Sequence, residues 1–303
     1  MPPHEPVLLQ EVLAGLLPAE RVIDGTLGAG GHTRAMLEAG AGAVLGLDRD
    51  PAALAIAREN LAAYGDRARL VHASYLQMAE EARRLGWEHV DAILLDLGLS
   101  SMQLDTAARG FAFMHEGPLD MRFDPTSSQP TAAELVNTLD PDELADIFYQ
   151  YGEEQHSRKL ARAIVQARPL ESTRQLAAVI EQAMPRRRGD KIHPATRVFQ
   201  ALRIAVNDEL GAVKKVLPLA IDLLRAGGRL GVISFHSLED RIVKQAFKLA
   251  STDCICPPNV PICVCGHVAT VRLINRKPIT ATEAEIAHNP RSRSAKLRIV
   301  EKL

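Results

Sequence analysis

A short apolar run, Val22-Ile23, ends at Asp24 and gives way to Gly25-Thr26-Leu27-Gly28-Ala29-Gly30-Gly31-His32-Thr33, after which an alanine-leucine face from Arg34 to Leu37 opens a helical stretch. The pattern predicts a strand, a glycine-rich turn and a helix start. Glycine admits positive φ and lets a ligand approach where a Cβ would stand in the way, and the helix start presents unpaired N–H groups. Four glycines between positions 25 and 31 are costly in chain entropy unless that backbone shape is needed, so a small polar ligand is expected, with a plain tight turn as the alternative. One strand later Ala43-Val44-Leu45-Gly46-Leu47 ends at Asp48, the place where doubly wound folds use a carboxylate to hold two ribose hydroxyls. Asp50-Pro51 supplies the cap and first-turn proline of the next helix, Ala52 to Leu61, which leaves Asp48 free for a ligand. Together these elements predict a nucleoside-cofactor site.

Spacing selects the cofactor. A dinucleotide fingerprint needs G-x-G-x-x-G, but from Gly28 the frame runs Gly28, Gly30, Thr33, and the third glycine is missing. Counted instead from the acid, Asp24, Thr26, Gly28 and Gly30 resemble the D-x-G-x-G-x-G turn of S-adenosylmethionine methyltransferases, with threonine in the first glycine slot. S-adenosylmethionine becomes the expected cofactor and NAD the alternative.

Composition narrows the class further. A chain of 303 residues with 47% hydrophobic content suits one large domain, or a domain carrying an insertion, with a sizeable core. No apolar run approaches the roughly 18 residues that span a bilayer, and Met1-Pro2-Pro3-His4-Glu5 lacks the charged and apolar regions of a secretion signal, so a cytoplasmic protein is expected. The 36 basic residues nearly balance the 37 acidic ones. They are unevenly spread: Pro185 to Arg203 holds Arg186, Arg187, Arg188, Lys191, Arg197 and Arg203 against Asp190, and Pro290 to Lys302 holds Arg291, Arg293, Lys296, Arg298 and Lys302 against Glu301. Either cluster is a candidate nucleic-acid contact or ordinary solvated surface.

Strand-like runs at 21–24, 43–48, 69–73 and 90–97 alternate with helical segments at 33–39, 51–63 and 76–86, which predicts a parallel sheet with crossover helices. From Asp105 to about Phe199 no strand pattern appears, and helices are expected at 131–137, 141–150, 154–167 and 172–184. Thr131 with Glu134, and Asp140-Pro141, supply caps for the first two. The sheet pattern resumes with a helix from Pro194 to Arg225, broken near Asn207, then the turn Ala226-Gly227-Gly228 and a strand from Arg229 to Phe235. Strands at His267 to Asn275 and Ala295 to Val300, a hairpin-like pair, complete seven. The expected fold is α/β, a doubly wound, Rossmann-like seven-stranded methyltransferase sheet. The expected division is 1–105 and 200–303 for the cofactor-binding domain and 106–199 for a mostly helical, substrate-recognising insertion.

Ligands in such sheets lie beyond the carboxyl ends of the strands. Strand four ends in Leu95-Asp96-Leu97-Gly98-Leu99-Ser100-Ser101-x-Gln103-Leu104-Asp105, with Gly98 expected to relax the backbone, and strand five ends in Ser234-Phe235-His236-Ser237-Leu238-Glu239-Asp240-Arg241. With these strings, and with Arg109-Gly-Phe-x-Phe, Gly117-Pro-Leu-Asp-Met-Arg122, His193-Pro-Ala-Thr-Arg197 and Asn289-Pro-Arg-Ser-Arg-Ser-Ala-Lys296, the chain resembles the bacterial cytosine-N(4) methyltransferases of small-subunit (16S) ribosomal RNA from end to end. The resemblance implies cofactor contacts at Gly28, Gly30, Gly31, His32, Asp48, Tyr75, Asp96 and Gln103, with Tyr75 packing on adenine. It also implies a ribosomal cytidine methylated on its exocyclic amine; the expected partner is small-subunit ribosomal RNA within an assembled or assembling subunit, with free RNA left open as the substrate.

That amine is a weak nucleophile because its lone pair is delocalised into the ring, so a carboxylate accepting its N–H bond helps as positive charge grows on nitrogen. Asp96 is the catalytic candidate. Amino methyltransferases often carry Asp-Pro-Pro-aromatic there, and Asp96-Leu97-Gly98-Leu99 leaves open whether Asp96 meets the amine or mainly holds the cofactor. His236 is the second candidate, as proton acceptor or as scaffold. The base must be splayed out of its stack, which gives the arginine clusters a purpose as phosphate clamps. Cys254-x-Cys256 and Cys263-x-Cys265, within twelve residues, suggest a metal knuckle, although the spacing is not C-x-x-C and unliganded thiols are the alternative; no metal is assigned from sequence. Competing classes are a non-enzymatic ribosome-assembly factor with a relic cofactor site, and a small-molecule methyltransferase. The oligomeric state is left open.

Overall fold

The computed structural model describes residues 6–185, 193–257 and 262–303. They fall into two compact units, one built from the residues before Leu99 together with those from Leu210 onward, the other from Leu99–Glu209.

The first unit opens with α1 (Leu9–Leu16), β1 (Arg21–Asp24), α2 (Gly31–Glu38), β2 (Ala43–Asp48), α3 (Pro51–Leu61), β3 (Ala68–His72), α4 (Met78–Arg84) and β4 (Val90–Asp96). The helical unit contributes α5 (Ser101–Asp105), α6 (Ala132–Thr138), α7 (Pro141–Gly152), α8 (Ser157–Gln166), α9 (Thr173–Ala183) and α10 (Pro194–Asn207). The chain then runs through α11 (Glu209–Leu223), β5 (Leu224–Ser234), α12 (Ser237–Ala250), β6 (Val271–Leu273), β7 (Ile279–Thr280), α13 (Glu283–His288) and β8 (Lys296–Lys302).

The sheet order is β3-β2-β1-β4-β5-β8-β6, with the two-residue β7 pairing on β8. β1 to β5 are parallel, and β8 runs antiparallel to β5, β6 and β7. Crossover helices force the parallel strands to be buried on both faces, which is why β1 and β4 are nearly continuous apolar runs. Successive residues alternate between layers: Val22, Val44, Ala92 and Leu94 pack with α1, α2 and α3, whereas Ile23, Leu45, Ile93 and Leu95 pack with α4, α11 and α12. β1 and β4 are neighbours whose chain connections leave in opposite directions, so the carboxyl ends of β1, β2 and β4 form the crevice in which this architecture binds ligands.

Sequence expectations differ from these elements in specific ways. Ala226-Gly227-Gly228 is not a turn before the fifth strand but a bulge inside it: β5 pairs Leu224 with Val90 and then Arg229 with Ala92, and Gly227 takes φ 79°. The last strands are not a simple hairpin, because β7 and α13 intervene between β6 and β8. The expected helix break lies at Asp208, which caps α10 in the left-handed region at φ 49°.

The helical unit has a core of its own, with Phe148, Leu144, Leu160, Ile164, Leu176, Ile180, Val198 and Leu202 fully buried. Its helices start where the caps predict. Thr131 and Glu134 reciprocally cap α6, Asp140 accepts the Asp142 and Glu143 N–H groups ahead of α7, and Ser172 caps α9. Among the described residues no helix is long and apolar enough to cross a membrane. Phe148→Ala is expected to remove about 3–5 kcal/mol from the stability of this unit through the cavity it leaves. Hydrogen exchange of the α7, α8 and α10 amides measures the loss; unchanged protection would contradict this account of the core.

Candidate active site

The glycine turn is held between two strand ends. Gly25 N–H donates to Leu94 O at 2.9 Å on the β4 side, and Leu27 N–H donates to Leu47 O at 2.9 Å on the β2 side. Gly28 and Gly30 sit at φ 54° and 84°, the region that disfavours any side chain, and Gly30 is the N-cap residue of α2, which therefore has no side-chain cap. A Cβ on Gly30 would also stand 2.8 Å from Leu61 Cδ1.

Three side chains brace this backbone. Asp24, 1% exposed, accepts the Thr26 N–H at 3.2 Å and the Thr33 hydroxyl at 2.7 Å. Burial raises its pKa, opposed by His32 and by the Thr33 hydroxyl. Thr26 accepts the Asp96 N–H on its hydroxyl at 2.6 Å, so the residue that departs from the glycine motif ties the turn to the end of β4. Asp48 is not free, as the sequence suggested: one carboxylate oxygen accepts the Gly28 N–H at 2.7 Å and the other the Asp50 N–H at 2.8 Å. Each oxygen keeps a second lone pair for a ligand. Burial pushes the Asp48 carboxyl up to about 6, against the pull of those two N–H groups. Asp50 caps α3 through the Ala52 N–H, as expected.

His32 and Asp96 supply the strongest sign of a ligand. His32 is 7% exposed, and neither of its ring nitrogens has a hydrogen-bond partner. Asp96 Oδ1 is likewise buried and unpartnered, while Oδ2 lies 3.7 Å from His32 Nε2, beyond hydrogen-bond range. Native structures leave few buried polar atoms unpaired, and three of the four among the described residues belong to these two adjacent side chains. Tyr75 follows β3 within one turn of 3-10 helix, half-buried, and its Cβ stands 3.1 Å from where a Gly25 Cβ would be. Gly31 opens α2 beside His32. Gln103 belongs to the helical unit, where its side chain accepts the Ser100 N–H at 3.2 Å and closes the cap of α5.

The string after β5 is largely explained by local architecture. Gly98 is not in the left-handed region; it is glycine because a Cβ would lie 2.5 Å from the Phe235 ring. His236 caps α12 by accepting the Glu239 N–H on Nδ1 at 3.4 Å, and buried Glu239 returns the bond, accepting the Phe235 and His236 N–H groups at 2.9 and 3.4 Å. His236 Nε2 is 3.0 Å from Glu239 Oε1, yet the angle leaves it without a true hydrogen bond, so that proximity counts only as an electrostatic contact. Asp240 pairs with Arg298 at 2.7 Å and with Lys296 at 3.5 Å; burial would raise its carboxyl, but the Arg298 guanidinium overrides this and holds it below the usual range.

These pairs thin the basic clusters. Arg298 is 7% exposed, and Lys302 faces Asp222 at 3.9 Å; Arg291 and Arg293 are exposed. In the first, Arg197 contacts buried Glu154 at 3.4 Å and Arg203 grips Glu209 at 2.8 and 2.9 Å. Arg186, Arg187, Arg188, Asp190 and Lys191 lie outside the described residues.

A doubly wound sheet with a glycine turn, an acid at the end of β2 and unpaired polar atoms at the end of β4 defines a nucleoside-cofactor enzyme. The whole chain, residues 1–303, matches the model of the MraW methylase family. It is 51% identical to the ribosomal RNA small subunit methyltransferase H of Citrifermentans bemidjiense, over 99% of this chain and 98% of that one. The proteins of the same name from Thermomicrobium roseum and Geobacter sulfurreducens are each 52% identical, over 99% of this chain and 94% and 99% of theirs. The chain belongs to the MraW methylase family.

The close approach of Gly98 and Phe235 carries its own test. Gly98→Ala is expected to cost about 1–3 kcal/mol by overpacking. Phe235→Leu in the same chain should recover part of that cost, read by denaturant unfolding of both variants, whereas equal instability of single and double variants would show that the ring does not set the requirement for glycine.

Proposed function

We propose that the chain transfers a methyl group from S-adenosylmethionine to the exocyclic N4 amine of a cytidine in small-subunit ribosomal RNA, within an assembled or assembling subunit in the cytoplasm. Full-length identity of about half to proteins named ribosomal RNA small subunit methyltransferase H carries the reading; the motif strings at the ends of β4 and β5 support the cytosine amine as the target.

The residues fit the cofactor. Gly28, Gly30 and Gly31 offer close backbone approach and helix N–H groups, Asp48 offers carboxylate lone pairs for ribose hydroxyls, and Tyr75 an aromatic face for adenine. The orphaned nitrogens of His32 lie within the same crevice. When bound, S-adenosylmethionine supplies an electrophilic methyl group on a sulfonium centre.

Asp96 is the acceptor for the amine N–H. Its main chain is fixed by Thr26, and its Oδ1 is desolvated and unpartnered, so the carboxylate is preorganised toward charge that develops during transfer. His236 we give a positioning role. Its Nδ1 accepts the Glu239 N–H at the start of α12, so the ring serves to fix the backbone after β5. Arg291 and Arg293 are exposed and suited to phosphate contacts, and Arg186 to Arg188 add charge of the same sign.

The test is incubation with labelled S-adenosylmethionine and either deproteinised small-subunit RNA or isolated subunits, followed by digestion and mass spectrometry of the nucleosides. N4-methylcytidine is expected. Its absence from both substrates, or a methyl group on another atom, overturns the reading. In the same assay Asp96→Asn is expected to lower the single-turnover rate by about 10²- to 10³-fold, while cofactor affinity changes far less. Equal losses in rate and affinity would make Asp96 a cofactor ligand alone.

A further inference from the structure

The loop between α12 and β6 carries all four cysteines of the chain, and their sulfur atoms converge. Cys254 Sγ lies 3.4 Å from Cys263 Sγ, Cys263 Sγ lies 3.5 Å from Cys265 Sγ, and Cys265 Sγ lies 3.9 Å from Cys254 Sγ. All four sulfurs, that of Cys256 included, fall within 4.8 Å of one another, and none is in a disulfide. Sulfurs at the corners of a tetrahedron around an ion, with bonds of about 2.3 Å, stand about 3.8 Å apart. The cluster is thus at the separation that one shared ion requires and too open for an S–S bond of about 2.05 Å.

The backbone around the sulfurs is arranged reciprocally. Ile255, in the middle of the first Cys-x-Cys, donates its N–H to Cys265 Sγ at 3.4 Å, and Val264, in the middle of the second, donates its N–H to Cys256 Sγ at 3.4 Å. His267 N–H adds a second donor to Cys265 Sγ at 3.5 Å. Donors aimed at sulfur favour the thiolate over the thiol and form the outer layer that orients metal ligands.

Among the described residues of this loop, nothing apolar holds it together. Ile255, Ile262, Val264 and Val268 are 51%, 74%, 80% and 68% exposed, and none of the hydrophobic clusters includes a residue between Ser251 and Thr270. The loop is pinned at its base, where Thr270 N–H and the His267 imidazole bond the Ala250 and Leu249 carbonyls at the end of α12. Beyond that base the convergence of the four sulfurs needs another source, and a metal bound to four side chains is the usual one where burial is lacking.

We propose that Cys254, Cys256, Cys263 and Cys265 bind one zinc ion as a structural tetrathiolate site. Four thiolates suit a soft or borderline cation, and a shell closed by four protein ligands leaves no position for substrate, the arrangement of structural zinc. On binding, each thiol releases a proton and forms one Zn–S bond.

The test uses the full chain purified under reducing conditions without added metal and dialysed against a mild chelator. Inductively coupled plasma mass spectrometry should find about one zinc per chain, set free stoichiometrically by a mercurial thiol reagent, and Co²⁺ replacing it should show the strong thiolate-to-cobalt absorption of a tetrahedral sulfur site. The Cys256→Ser/Cys265→Ser variant should retain no zinc, with circular dichroism recording whether it folds. The mercurial and cobalt experiments on the unaltered protein decide the matter if the variant does not fold. Iron in place of zinc, disulfides in the reduced preparation, or failure to take up either zinc or Co²⁺ would overturn the assignment.

Discussion

The carboxylate of Asp48 accepts the N–H of Gly28 at 2.7 Å from one side and that of Asp50 at 2.8 Å from the other, and so joins the glycine turn after β1 to the end of β2. Thr26 makes the corresponding tie to β4 through the Asp96 N–H. Parallel strands end in loops with no ladder to fix them, so side chains must hold those loops in register. In this chain the residues that brace the crevice are the same ones that face it, and the cost is a carboxyl raised by burial to about 6. A group held partly out of water and short of hydrogen-bond donors is one that ribose hydroxyls would stabilise.

Much of the sheet was legible because parallel strands buried on both faces read as apolar runs and end at loud residues: Asp24, Asp48 and Asp96 each close a strand. The caps at Asp50, Thr131 and Asp140 were legible because an N-cap is a local interaction. α1 escaped notice although Leu8, Val12 and Leu16 repeat at helical spacing, a signal present but short. α12 was hidden behind the chemistry of its first residues, since His236 and Glu239 invite a catalytic reading when their main task is to cap the helix. Thr26 looked like a departure from the glycine motif, and only the fold shows which N–H its hydroxyl meets.

Charge was the least legible property. Arg197, Arg203, Lys296 and Arg298 are spent on Glu154, Glu209 and Asp240, partners distant in sequence or in another element, so a count of basic residues along the chain overstated both clusters. Pairing of this kind depends on tertiary contacts that composition does not carry. The pairing of Asp240 with Arg298 also shows why a string such as Ser234 to Arg241 is so specific: four of its positions answer three different parts of the fold, Gly98 for Phe235, the helix start for His236 and Glu239, and β8 for Asp240.

The claim on which the account rests is that Asp48 serves the turn and the cofactor with one ionised carboxylate. Its most direct test is calorimetric titration of S-adenosylmethionine between about pH 4.5 and 7, a window clear of the ligand's own carboxyl and amino groups. Ribose hydroxyls donate to the ionised form, so the affinity of the unaltered protein should be level above the folded value of about 6 and weaken by about tenfold for each pH unit below it. Asp48→Asn should bind more weakly at neutral pH and lose that dependence. Identical affinity and an identical pH profile in the two proteins would contradict the assignment of Asp48 to the ribose.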